Sequence, residues 1–180
     1  MPTPQPPTST PTIETDRLRL DPLAPDDADE MTPALSDPEL YRFIGGEPPT
    51  VDELRGQYAA WIAGPSRAGE AWHNWAIRSA ADGAAIGHVQ ATVVDDGNRA
   101  DIAWILGTPW QGRGYATEAA IAMVRWLESD GVATITAHVH PQHAASARVA
   151  ERAGLEPTDE VEGGEVVWRR LADGPRSGET

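Results

Sequence analysis

The chain has 180 residues, 40% hydrophobic and 23% charged, a balance that suits one globular domain with a buried core. Its formal net charge is −14 and it has no cysteine. Such a charge argues against nucleic-acid and anionic-membrane partners, and the missing thiols exclude disulfides, thiolate metal sites and a cysteine nucleophile. There is no apolar run long enough for a bilayer and no signal-peptide pattern, so the expected location is the cytoplasm.

Residues 1–12 are Pro/Thr-rich without an apolar pattern and are expected to be a disordered extension, with the folded domain spanning 13–172. From Ile13 to Leu23, Leu18 and Leu20 alternate with Arg17, Arg19 and Asp21, which predicts one half-buried strand. Pro25 to Leu35 reads as a short helix with Asp26 and Asp27 at its positive end, stopped by Ser36-Asp37-Pro38. After the loop Gly45 to Pro49, Thr50 and Glu53 form a capping box for a helix. Its apolar face is Val51, Leu54, Tyr58, Trp61 and Ile62, and Gly64-Pro65 ends it. Ala71 to Ser79, Ala85 to Val94 and Asp101 to Leu106 read as strands joined by Asp82-Gly83 and Asp95 to Asn98, an antiparallel meander. The run Ile102 to Leu106 is expected to be buried on both faces.

A helix follows from Tyr115 to Asp130-Gly131, and then a strand from Val132 to Val139. This strand–helix–strand crossover implies that the strands at 101–106 and 132–139 pair in parallel. Beyond Pro141 a further helix carries Ala145, Val149 and Ala153 on one face, with Gly154 as its stop. Leu155 to Val161 and Glu165 to Leu171 form a hairpin about Gly163-Gly164, and 173–180 is a second flexible tail. The sum is a mixed α+β fold: a central, mostly antiparallel sheet with one parallel pair, flanked by helices.

The most informative stretch is Gln111-Gly112-Arg113-Gly114-Tyr115-Ala116, where a strand passes through a glycine turn into a helix. Backbone N–H groups freed of side-chain cover and added to a helix N-terminus suit a pyrophosphate, to which Arg113 could add a charge-assisted contact. A dinucleotide fingerprint would need glycine or alanine where Thr117 stands, and a Walker loop would need Gly-Lys-Ser/Thr, so an unrelated nucleotide-binding enzyme is disfavoured.

The pattern Gln-x-x-Gly-x-Ala over Gln111 to Ala116 instead resembles the coenzyme-A pyrophosphate loop of the GNAT acyltransferase superfamily. Thr15-Asp16-Arg17-Leu18-Arg19-Leu20 resembles the opening of its RimJ/RimL branch, the ribosomal-protein N-terminal alanine acetyltransferases. The run from His140 to Leu155 resembles a second signature of the family, with His143 in place of the usual Asn. The resemblance extends from Thr15 to about Leu171. It implies that the parallel strands splay to admit the pantetheine arm, and that acetyl-CoA donates to a primary amine, either a peptide N-terminus or a small cation. The alternative is a GNAT-fold protein that binds coenzyme A without turnover.

By that resemblance Gln111, Gly112, Arg113, Gly114, Tyr115, Ala116 and Thr117 hold the pyrophosphate, backbone groups from Trp104 to Leu106 hold the acyl and pantetheine amides, and His143 also contacts the coenzyme. Ser146 would assist the departing thiol, or serve as an ordinary helix residue. Asp101 is the leading general base, or a simple strand-edge acid, and His88 is the alternative base, or a structural histidine. Tyr41, Phe43 and Trp61 are candidate acceptor contacts that also suit core packing. His138, His140 and His143 have a spacing that invites zinc, but no other motif supports a metal and none is expected. A homodimer is compatible with this reading.

Overall fold

The computed structural model describes residues 9–172, so the expected tail at 173–180 and most of the one at 1–12 lie outside the described residues. The expected first strand is two strands, β1 (Ile13–Glu14) and β2 (Leu18–Pro22), paired so that Ile13 faces Leu20. The reversal between them is built on Thr15, whose hydroxyl accepts from the Leu18 N–H at 3.0 Å and donates to Glu118 at 2.7 Å. Sequence alternation alone does not reveal such a turn, because one of its anchors lies about a hundred residues away. Ahead of β1 the chain is bonded sooner than its composition suggests. Thr10 Oγ1 lies 3.0 Å from His73 Nδ1, and Trp75 Nε1 donates to the Pro11 carbonyl at 2.7 Å.

The helices and strands then follow as α1 (Asp27–Ala34), α2 (Val51–Ala63), β3 (Ala71–Ser79), β4 (Ala85–Val94) and β5 (Arg99–Leu106). A short 3-10 helix, Pro38–Tyr41, lies between α1 and α2. Both halves of the capping box at Thr50 and Glu53 are formed. Beyond β5 come α3 (Tyr115–Ser129), β6 (Thr134–Val139), α4 (Ala144–Arg152), β7 (Glu156–Glu162) and β8 (Glu165–Leu171). They complete an eight-stranded sheet in the order β1-β2-β3-β4-β5-β6-β8-β7, antiparallel at every junction except β5–β6.

Each face of the sheet is covered. α3 packs Ala119, Ala120, Met123, Val124 and Leu127, a helical stripe, onto Leu18, Trp75, Ile86, Val89 and Ile102. On the other face α1 and α2 bring Met31, Leu35, Leu54 and Tyr58 against Ala76 and Ala85. In α4 the buried positions are Ala150 and the capping Ala153, with Ala147 and Val149 packed beside the core. Ala145, expected on that face, is exposed.

The parallel pair governs the site. β5 and β6 share only three rungs, Arg99 with Thr134, Ala100 with Ile135 and Asp101 with Thr136. Beyond Asp101 they part, and β6 pairs along its whole length with β8 on its other side. This corrects the expectation that Ile102 to Leu106 is buried on both faces. Ile102 and Leu106 are buried under α3, but Trp104 and Ile105 are half-buried and Ala103 is exposed, because the strand that would cover them has diverged.

Candidate functional site

A cavity of about 770 Å³ occupies the fork between β5 and β6. One wall is β5 from Ile102 to Leu106, the other is β6 with α4, and the loop opening α3 closes one end. In that loop Gly112 and Gly114 have φ of +78° and +81°, left-handed values at which a side chain is strained, and Gly114 is itself the N-cap of α3. The first bond of the helix runs from the Glu118 N–H to the Gly114 carbonyl at 3.0 Å. The N–H groups of Tyr115, Ala116 and Thr117 therefore have no helical carbonyl to bond, and all three residues line the cavity. Free donors at a helix start are an arrangement that suits a pyrophosphate.

The loop is braced from both sides. Gln111 donates from Nε2 to the Leu106 carbonyl at 3.0 Å, which ties the turn to the end of β5. Arg17 reaches across from the β1–β2 turn. Its Nε donates to Glu118 at 2.7 Å, its Nη1 donates to the Arg113 carbonyl at 2.9 Å, and its guanidinium lies 4.5 Å from the centre of the Tyr115 ring. Glu118 also accepts from the Thr15 hydroxyl and the Arg17 N–H, and these bonds hold its carboxyl below the usual range despite partial burial. The Thr-x-Arg string near the N-terminus and the glutamate of the third helix thus form one structural unit. Their joint role is not legible in sequence, because they lie about a hundred residues apart.

α4 supplies the opposite wall. His143 is its N-cap, with Nδ1 accepting from the Ser146 N–H at 3.4 Å. Ser146, Ala145 and Val149 line the cavity, as do Arg148 and Arg152 one helical turn apart. Neither guanidinium has an ion pair among the described residues, so both are available to an anion. They were legible only as spacing on a helix whose cavity face was unknown.

A second cavity, about 670 Å³, lies on the α1–α2 side. Ile44, Ala103, Trp104 and Ile105 line both, so the two meet at the part of β5 that pairs with β4 but not with β6. Its other walls include Tyr41, Gln57, Trp61, His88 and Gln90, with Glu47 and Glu53 among its acids. His88 is buried, its Nδ1 3.2 Å from the Tyr58 hydroxyl and its ring edge-on to Trp61. Burial lowers its pKa to about 4, so the near-neutral titration expected of an ordinary imidazole is displaced into acid.

The sequence model of the acetyltransferase (GNAT) domain matches residues 17–156. The chain belongs to the GNAT acetyltransferase family. It is accordingly an acyl-CoA-dependent acetyltransferase, and its fold agrees. An acetyltransferase from Agrobacterium tumefaciens is 28% identical, with a TM-score of 0.71 over 91% of this chain and 96% of that one. The RimL ribosomal L7/L12 alpha-N-protein acetyltransferase, solved with coenzyme A, is 14% identical, with a TM-score of 0.75 over 91% of this chain and 99% of its own. The aminoglycoside acetyltransferase AAC(6′)-Ib, also solved with coenzyme A, is 21% identical, with a TM-score of 0.70 over 86% and 94%. No curated protein matches the chain by sequence.

Within this GNAT domain most of the residues expected at the coenzyme come together. Trp104, Leu106, Gln111, Gly112, Gly114, Tyr115, Ala116, Thr117, His143 and Ser146 all line the fork. Arg113 does not. It is exposed and absent from the cavity wall, and its contribution is the backbone carbonyl gripped by Arg17, because the turn that frees the neighbouring N–H groups sends its side chain outward. Asp101 also departs from expectation. It stands at the vertex of the fork, on the last paired rung, where its carboxylate accepts from the Thr136 hydroxyl, and it lines neither cavity. His138 lies 3.0 Å from Glu162, while His140 and His143 pack on Phe43. Among the described residues no cluster of three ligating side chains could hold a metal, and no helix is long and apolar enough to cross a membrane.

Proposed function

We propose that this GNAT acetyltransferase moves the acetyl group of acetyl-CoA directly to a primary amine bearing positive charge, on a small molecule or at a peptide N-terminus. The observation that carries this is the junction at Ala103, Trp104 and Ile105, where a cavity built around an anion-binding turn opens into one with carboxylates and an indole among its walls. The first suits the phosphates and pantetheine of the coenzyme, with Arg148 and Arg152 as countercharges. Trp61 and the Glu47 and Glu53 carboxylates suit a cation.

The unpaired edge of β5 offers backbone groups to the acyl and pantetheine amides, which stabilise the carbonyl oxygen as it gains negative charge. Ser146 donates a hydrogen bond to the departing sulfur. There is no cysteine, and the Ser146 hydroxyl has no histidine or carboxylate partner among the described residues to activate it, which favours transfer without an acyl-enzyme. His88 faces the second cavity, but burial that lowers its pKa to about 4 makes it a weak base, so solvent water is the better acceptor for the amine's proton.

The test is a screen of acetyl-CoA consumption across N-terminal peptides, polyamines, aminoglycosides and amino acids. Turnover of at least one amine, with a KM that rises with salt, is expected. Coenzyme A binding without turnover of any amine would favour a non-catalytic ligand-binding domain instead.

A further inference from the structure

Phe43 and His143 belong to opposite walls of the site. Phe43 follows the 3-10 helix Pro38–Tyr41 in the segment that brings Ile44, exposed at 59%, to both cavities and Glu47 to the second. His143 caps α4 and lines the coenzyme cavity. Their rings stack with centroids 4.6 Å apart and planes at 26°. Phe43 also lies 4.9 Å from the His140 ring, and the Arg42 guanidinium lies 5.4 Å from the Phe43 ring. The hydrogen bonds here do not reach α4: Tyr41 donates to the Leu35 carbonyl at 2.9 Å, and Asp37, just ahead of the segment, accepts from Thr108 in the loop after β5 at 2.7 Å.

Capping does not account for an imidazole here. Asparagine, the usual residue at this position in the resembled family, is among the strongest N-caps and would take the Ser146 N–H as well. A flat ring adds a surface that asparagine lacks, and in this structure that surface is occupied by Phe43. We propose that His143 is a positioning residue for the acceptor: its ring, stacked on Phe43, joins the segment 38–49 to α4 and so sets the acceptor wall against the coenzyme wall. The proposal rests on the acetyl-transfer reading for its kinetic consequence but not for its structural one.

Two variants separate ring from cap. His143→Asn keeps the cap and loses the stack; Phe43→Leu keeps an apolar side chain and loses the stack. Amide hydrogen exchange across 38–49 should quicken in each by roughly three- to tenfold, the worth of one aromatic pair. The double variant should be no faster than Phe43→Leu alone, because that variant already removes the stack on His143 along with the contact to His140. With the amine turned over best in the screen above, its KM should rise by a similar factor and by more than the Kd for coenzyme A, measured by calorimetry. His143→Ala, which also loses the cap, should weaken coenzyme binding further, and asparagine should restore that part alone. Exchange and amine KM unchanged in His143→Asn, or effects that add in full in the double variant, would overturn the proposal. If the wild type turns over no amine, the acetyl-transfer reading fails, while the exchange data still decide whether His143 holds the segment.

Discussion

Ser146 occupies the first turn of α4 with its backbone N–H spent on His143 and its hydroxyl unbonded among the described residues. A hydroxyl held this way can respond to charge that develops on sulfur. Ser146→Ala should therefore lower kcat by roughly tenfold or more while the Kd for coenzyme A stays nearly constant, a split that steady-state kinetics and calorimetry would read together. Intact-protein mass after incubation with labelled acetyl-CoA and no acceptor should show no adduct. Asp101 is the contrasting residue. Its carboxylate is bonded to Thr136 where β5 and β6 part, so Asp101→Ala should cost about 1 kcal/mol in urea unfolding and leave the pH profile of kcat/KM where it was. A shifted profile would return Asp101 to the role of base that its position in the motif first suggested.

At the scale of elements, the β1–β2 turn and α3 work together through Arg17 and Glu118. Arg17→Ala frees the Arg113 carbonyl and uncovers the Tyr115 ring, so coenzyme affinity should fall by roughly three- to tenfold in a folded protein. Arg113→Ala, whose side chain is outside the cavity, should change it by less than about twofold. Calorimetry on the two variants side by side would reverse the ranking if the loop's own arginine were the anion contact. These elements also mark what can be read in a sequence. The helices at Thr50 and Tyr115, the meander and the terminal hairpin were legible because their signals are local: a capping box, apolar periods, paired glycines. The glycine turn ahead of α3 was legible for the same reason. The destinations of Arg113 and Asp101, and the split of β1 from β2, were not legible, since each depends on a partner distant in the chain: Arg17 for the first, Thr136 for the second, Glu118 for the third. Of the second cavity, Tyr41 and Trp61 were legible as candidate acceptor contacts, but its assembly from α2, β4, β5 and the segment that precedes α2 was not.

For the molecule as a whole, two buried imidazoles make acid the direction of greatest sensitivity. His73 lies between Trp75 and Trp126 with its Nε2 unpartnered, and its pKa is lowered to about 4, as is that of His88. Between pH 6.5 and about 4 the unfolded chain binds these protons and the folded chain does not. Stability is therefore full above that window and falls as pH drops through it, by roughly 3 kcal/mol per histidine at the acid end. Glu118, bound by Arg17 and Thr15, adds a smaller loss at still lower pH, as its own lowered value is crossed. Urea unfolding from pH 7 to pH 4 should show this decline, and His88→Gln should make its slope shallower by about one proton. A flat profile across the window would mean that neither ring is held neutral.

The sheet ends on one side in β1, only two residues long, and on the other in β7. β7 presents Glu156, Asp159, Glu160 and Glu162 to solvent, and Pro157 within it has no N–H to give. A bare strand edge is a template on which another chain can add itself, and repeated additions make a fibril. Here one template is too short, and the other repels its own copy charge against charge with a gap in its row of donors. The protection on the β7 side is a matter of charge and so can be withdrawn. With Glu156, Asp159, Glu160 and Glu162 replaced by glutamine or asparagine, the same edge is left with Val161, exposed at 63%, and its open backbone groups, and light scattering should show strand-to-strand association rising.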